Sequence, residues 1–229
     1  MARIARPVFP GLPHHIVQRG NRREDVFFTV ADRRSYLAWL GQYCRVYRVE
    51  LLAYCLMTNH VHVVMVPATE DALEQVFRPL HTRYAQRLNR RRGWTGHVWQ
   101  GRYFSATLDE AYLWSAVRYV ERNPVRAGMV RRAELYPWSS AAAHCGLRQD
   151  DLLTRHATWL ADLDPGQGWS RWLAEGEELA RVAVLRHNVQ RGLPCGSDAF
   201  VSELERKAGQ SLRPRPPGRR WPEKPGPAA

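Results

Sequence analysis

Two apolar runs separated by only two residues constrain this chain most: "VELLAYCLM" at residues 49–57 and "HVHVVMV" at 60–66, joined through Thr58 and Asn59. Both are short, rich in β-branched residues and bounded by polar turns, so they read as buried strands. Strands joined by so tight a turn pair antiparallel. Helical patterns stand on either side. Residues 31–48 repeat Tyr36, Leu37, Leu40, Tyr43, Cys44 and Tyr47 at helical spacing, and residues 71–91 carry Leu73, Val76, Phe77, Leu80, Tyr84 and Leu88 along one stripe. A strand in "HHIVQRGNRR", turning at Gly20 and Asn21, comes first, and "RYFSATLD" supplies another later. The helix "AYLWSAVRYVERN" has to stop near Pro124, because proline crowds the residue before it out of helical conformation. The order β-α-β-β-α-β-α predicts an α+β fold with a ferredoxin-like split βαβ core, an antiparallel sheet with helices on one face.

Residues 1–148 hold that core and are expected to form one domain. Residues 149–209 read as a helical C-terminal extension, in which Ser197 caps and Gly209 stops a last short helix. Residues 210–229, Pro-rich and basic, read as a disordered tail. No run approaches the ~20 apolar residues that span a bilayer, and the first residues lack the apolar stretch of a secretion signal. The expectation is a cytoplasmic protein with no membrane partner. Cys44, Cys55, Cys145 and Cys195 are scattered, which argues against a zinc knuckle or a redox pair. The charge is more pointed. Lys and Arg number 34 against 22 Asp and Glu, a net +12, which favours a polyanionic partner.

Strand alternation turns His60 and His62 to one face while Val61 and Val63 take the other. Two imidazoles on one strand face can share a divalent ion, and imidazole is the commonest metal ligand. A third ligand and a reactive group are then needed. Tyr119 and Asn123, four residues apart, fall together near the end of the helix closed by Pro124. Asn offers a carbonyl oxygen suited to Mg²⁺ or Mn²⁺, and Tyr is a covalent nucleophile. On spacing alone, a boundary aromatic and a helix-ending amide explain the same two residues.

"NHVHVV" resembles the His-hydrophobic-His motif of the HUH single-tyrosine transposases. "RYVERNPVRAGMV" followed by "YPWSS", and later "PCGSDAFVSELERKAGQSLRPRPPGRR", resemble signatures of their REP-associated branch, in the expected order over most of the chain. The resemblance implies that His60, His62 and Asn123 hold one Mg²⁺ or Mn²⁺. It implies that Tyr119 attacks a phosphate of single-stranded DNA, leaving a 5′-phosphotyrosine and a free 3′-hydroxyl. The implied partner is single-stranded DNA in hairpin or palindromic repeats. The third ligand in insertion-sequence relatives is often glutamine; Asn123 is one methylene shorter and demands a closer helix. Relatives acting on extragenic palindromes often carry a Gly-Thr-aromatic element near the N-terminus, where this chain has "GLPHHIVQRGNRR".

Residues 83–104 interleave arginines with Trp94, Trp99, Tyr103 and Phe104, a pattern suited to phosphates and unpaired bases. Arg90, Arg91, Arg92, Trp99 and Arg102 are the contacts expected there. The loop after the first strand offers Arg19, Asn21 and Arg22, with Gln18 and Arg23 beside them, and Arg126 follows the Tyr119 helix. Arg213, Arg215, Arg219 and Arg220 would add salt-dependent affinity. His14 and His15 are adjacent and face opposite sides, so only one can reach the His60 face; both are read as non-ligands. Two rival readings stay open: a domesticated, non-cleaving DNA- or RNA-binding regulator, and a hydrolase using metal-bound water. Whether the chain acts as a monomer or a homodimer is not legible in the sequence.

Overall fold

The computed structural model describes residues 7–154 and 167–214. Of the tail expected over residues 210–229, the part from 215 onward, with Arg215, Arg219 and Arg220, lies outside these residues, as does part of the expected helical stretch before residue 167. Four strands, β1 (His14–Arg19), β2 (Val49–Leu56), β3 (His60–Pro67) and β4 (Phe104–Thr107), form one sheet in the order β2-β3-β1-β4. All neighbours are antiparallel. With α1 (Val30–Val46) between β1 and β2, and α2 (Ala72–Arg92) between β3 and β4, this is the ferredoxin-like arrangement.

α1 and α2 cover one face. Ile16, Leu51, Tyr54, Val61, Val63 and Met65 of the sheet meet Tyr36, Leu40, Leu73, Val76, Phe77, Leu80 and Tyr84 of the two helices. The capping box at Thr29 and Asp32 starts α1, each side chain accepting from the other's backbone N–H.

The opposite face has its own cover. Val17, Cys55, Val64 and Ala106 pack against Leu113, Ala116, Val117 and Val120 of α3 (Glu110–Glu121). After Arg122 the chain makes a separate turn, α4 (Asn123–Arg126), with Pro124 at its start. α5 (Ala141–His144) follows, then α6 (Gln167–Ala174), α7 (Leu179–Arg191) and α8 (Asp198–Ala208). Trp169 and Leu173 of α6 and Val182, Leu185 and Val189 of α7 enter the same core as α3.

Backbone bonds stitch this region to the sheet. Cys195 N–H donates to Thr107 O, and Asp109 N–H donates to Cys195 O. Asp109 caps α3 through Tyr112 N–H and also accepts from Ser197 N–H, the cap of α8. "YPWSS" covers the outer edge of β2: Leu56 N–H donates to Trp138 O, and Ser140 N–H to Tyr54 O. Glu121, with no exposed surface, accepts from Ser140 Oγ (2.5 Å), Trp169 Nε1 (2.8 Å) and His144 Nδ1 (2.6 Å), tying α3 to α5 and α6. No helix among the described residues is long and apolar enough to cross a membrane.

Candidate active site

The β1–β3 register sets His15 opposite Val64, Val17 opposite His62 and Arg19 opposite His60. Alternation therefore puts His15, Arg19, His60 and His62 on the face that α3 covers. The ring centroids of His60 and His62 are 4.9 Å apart.

Each of the two rings has its Nδ1 engaged. Asn59 donates through Nδ2 to Arg23 O (2.8 Å), which turns its Oδ1 toward His60. His60 Nδ1 therefore donates to that oxygen (2.6 Å), leaving Nε2 as a lone pair. His62 Nδ1 lies 3.0 Å from His15 Nε2, the two planes only 17° apart. Burial, reinforced by the charges of Arg19 and Arg126, lowers the His60 pKa to about 4. Burial first, then His60, His15, Arg126 and Arg19, holds His62 well below the ordinary imidazole value. At neutral pH both rings are uncharged, the form that binds a metal.

Tyr119 faces this pair from α3 and is 6% exposed. Its ring is 5.5 Å from His62 and 5.7 Å from His15 by centroid, edge-on to both. The Arg126 guanidinium stacks 4.0 Å from the Tyr119 ring centre and donates to Tyr119 O (3.1 Å). Glu177, just before α7, holds the same guanidinium at 2.5 and 2.7 Å. Asn123 stands one turn beyond Tyr119, 8% exposed, its Nδ2 buried without a hydrogen-bond partner among the described residues. Among the described residues no three His, Cys, Asp or Glu converge as a metal cage. A further oxygen donor at this site would come from an amide or hydroxyl, and Asn123 could supply one only through its Oδ1, since its buried Nδ2 is an N–H donor.

The loops at this end of the sheet are pinned together. Gly20 N–H donates to Asn59 O, Asn21 N–H to Val98 O and Gln100 N–H to Arg19 O. A side chain at Gly20 would place its Cβ 2.3 Å from Glu24 O, so the close approach requires glycine. Arg22 and Arg23 adopt left-handed backbone (φ 52° and 65°), a conformation non-glycine residues hold at a cost. Both arginines are exposed, and Arg19 and Asn21 are half-buried.

Two of the residues expected to meet nucleic acid have partners within the fold. Trp99 is 8% exposed, donates from Nε1 to His81 O (3.2 Å) and packs on His81 and Tyr84. It is a core residue. Arg91 clamps Asp32 with both nitrogens, at 2.5 and 2.7 Å. It serves the α1 cap. Burial alone would raise the Asp32 pKa, but the bonds from Arg91, Thr29 and Phe28 overcome this and hold it below the usual value. Arg92 stacks on exposed Phe28, 3.8 Å from its ring centre, while Arg90 and Arg102 stand exposed. Arg213 is engaged by Asp198 and Glu205.

Three further residues border the site. His15 reaches it from β1 and Glu177 from the stretch before α7. Arg186 of α7 lies close enough to Arg19 to help lower its pKa, after burial and Arg23. Only His15 left a trace in the sequence, through strand alternation.

The pattern of the family described as "Transposase IS200 like" matches residues 9–123, half of the chain, and spans His60, His62, Tyr119 and Asn123. The chain belongs to the IS200-like transposase family. It is an enzyme of that transposase kind. A Haemophilus influenzae protein provisionally named a REP-associated tyrosine transposase is 27% identical over 136 residues, covering 50% of this chain and 77% of that protein. A REP-associated tyrosine transposase solved with a REP hairpin bound superposes with a TM-score of 0.53 at 19% identity, over 69% of this chain and 96% of that one. This likeness shows the fold of this IS200-like transposase.

Proposed function

We propose that this transposase cleaves and rejoins single-stranded DNA through a covalent bond to Tyr119, with Mg²⁺ or Mn²⁺ held by His60, His62 and Asn123. The observation that carries the reading is the pair of neutral histidines, both with Nδ1 engaged, packed against the Tyr119 ring. When bound, the ion supplies Lewis-acid polarisation of the scissile phosphate.

The chain's own residues supply the rest. Tyr119 Oη loses its proton to solvent and attacks phosphorus. A P–O bond forms to Tyr119, the P–O3′ bond breaks, and the departing 3′ oxygen is protonated. The Arg126 guanidinium, stacked on the ring, offsets the negative charge of the phenolate and of the phosphate beside it. Because the phosphotyrosine keeps the bond energy of the phosphodiester, a second 3′-hydroxyl reverses the step. Arg19, Asn21, Arg22, Arg90 and Arg102 offer charge and hydrogen bonds to the strand. The relative solved with a REP hairpin motivates hairpin-forming repeats as substrate.

The test is a denaturing assay of protein with a labelled, hairpin-flanked single strand and Mn²⁺. Wild-type protein should carry the label as an adduct mapping to Tyr119, and Tyr119→Phe should lose it by on the order of 10³-fold or more while still binding DNA. Cleavage that persists in Tyr119→Phe would replace this reading with metal-bound-water hydrolysis. Tyr136 is a control: its hydroxyl donates to Leu56 O (2.8 Å), and burial pushes its pKa up to about 12.

A further inference from the structure

We infer that His15 is a positioning residue for the metal site: its Nε2 accepts the Nδ1 proton of His62 and so keeps the His62 Nε2 lone pair open to a ligand. The inference rests on the proposed metal role of His62 and adds a residue to it.

One proton decides the geometry. His15 Nε2 and His62 Nδ1 are 3.0 Å apart, with nearly parallel rings that suit a bond in the ring plane. Two neutral imidazoles can share that bond in two ways. If His15 donates, His62 carries its proton on Nε2 and cannot ligate. If His62 donates, Nε2 is open, and His15 carries its own proton on Nδ1. A metal-ligating histidine commonly gives its other N–H to such a partner, which fixes tautomer and ring orientation. His60 already follows that rule, with Asn59 Oδ1 as the acceptor.

The surroundings of His15 point the same way. It has no exposed surface, and its strand neighbours Val64 and Ala106 belong to the apolar core. Among the described residues its Nδ1 is buried without a partner, so the ring's polarity serves the fold through Nε2 and His62 Nδ1. Adjacent His14 has a purely structural part. Its Nδ1 donates to Leu12 O (2.8 Å), and its Nε2 accepts from Phe9 N–H (3.3 Å) and Thr107 Oγ1 (3.1 Å). Among the described residues His15 has one contact of this kind, and it is His62.

The experiment uses the full chain and two variants, His15→Phe, which keeps a flat ring but has no acceptor, and His15→Gln, whose Oε1 can accept. Heteronuclear NMR of the metal-free protein reads the His62 tautomer, and calorimetric titration reads Mn²⁺ affinity. Wild type should show His62 protonated on Nδ1. His15→Phe should move that proton to Nε2 and weaken Mn²⁺ about 10- to 100-fold; His15→Gln should restore both. Wild-type His62 protonated on Nε2, or Mn²⁺ affinity unchanged in a folded His15→Phe, overturns the inference. If wild type binds no Mn²⁺ while the tautomer still follows His15, the proposed metal site fails and the positioning of His62 stands. Thermal melting shows whether His15→Phe is folded; should it not be, the His15→Gln tautomer alone decides, since loss of the Nδ1 proton in that variant would refute an acceptor role.

Discussion

The two faces of the sheet bury the same residue type for opposite ends. Under α1 and α2, His81 is fully packed among Phe77, Trp99 and Tyr36, and its Nε2 meets the Tyr36 hydroxyl at 3.1 Å. His14, which turns to that side, has both ring nitrogens satisfied by the fold. Under α3, His60 and His62 each use only Nδ1 on the protein. Burial lowers the pKa of all four. Desolvation therefore does not distinguish the two kinds of histidine; convergence does, because the His60 and His62 rings lie 4.9 Å apart with the Tyr119 ring 5.5 Å from His62.

The sharpest way to break this comparison is to remove one histidine from each face. His62→Ala should weaken Mn²⁺ by more than about 100-fold, beyond the cost of losing an outer partner. His81→Ala should leave that affinity alone and lower unfolding stability by about 2 kcal/mol, through the lost bond and packing. Calorimetric titration and urea unfolding of both variants check this, and Mn²⁺ binding lost equally in His81→Ala would erase the distinction.

Acid gives a smaller effect. Burial lowers His14 to about 4 and His81 to about 3, against an unfolded value near 6.5. Between those values the unfolded chain binds more protons than the folded one, so the stability present above about pH 6.5 is lost as pH falls toward the folded values. Each ring contributes a slope of up to about 1.4 kcal/mol per pH unit. Urea unfolding at pH 7 and pH 5 should show the decline, and His81→Leu should flatten it. A slope unchanged in that variant would mean that the ring is not neutral when folded.

The smallest effect separates the arginines. Arg90→Ala or Arg102→Ala should each reduce the salt slope of single-strand binding by about 0.7. Arg91→Ala should cost stability with little change in that slope, because its charge is spent on Asp32. Binding isotherms at several salt concentrations decide it.

Much of the site was legible because its rules are local. Period-two alternation put His60 and His62 together, and helical spacing brought Tyr119 near Asn123 before any contact was known. The helix pattern of α2 found the stripe the structure buries. What escaped depends on contacts far along the chain. Arg91 meets Asp32 across 59 residues, and Glu177 meets Arg126 across 51. The burial of Trp99 was not legible because arginine interleaved with aromatics looks alike on a DNA platform and at the rim of an aromatic core. His15 was hidden by its neighbour: a His-His step alternates faces, and sequence does not say which ring lands beside His62.

One consequence concerns the smallest piece of this chain worth expressing. The family pattern stops at residue 123. The floor beneath Tyr119 continues to Cys195, and the anchor on Arg126 comes from Glu177. A fragment cut at the pattern's edge would carry both histidines and the tyrosine, yet α3 would have lost its outer wall. On the ribosome the same holds in time: the strands that carry the histidines emerge early, and Tyr119 gains its full support only when the last third of the chain arrives.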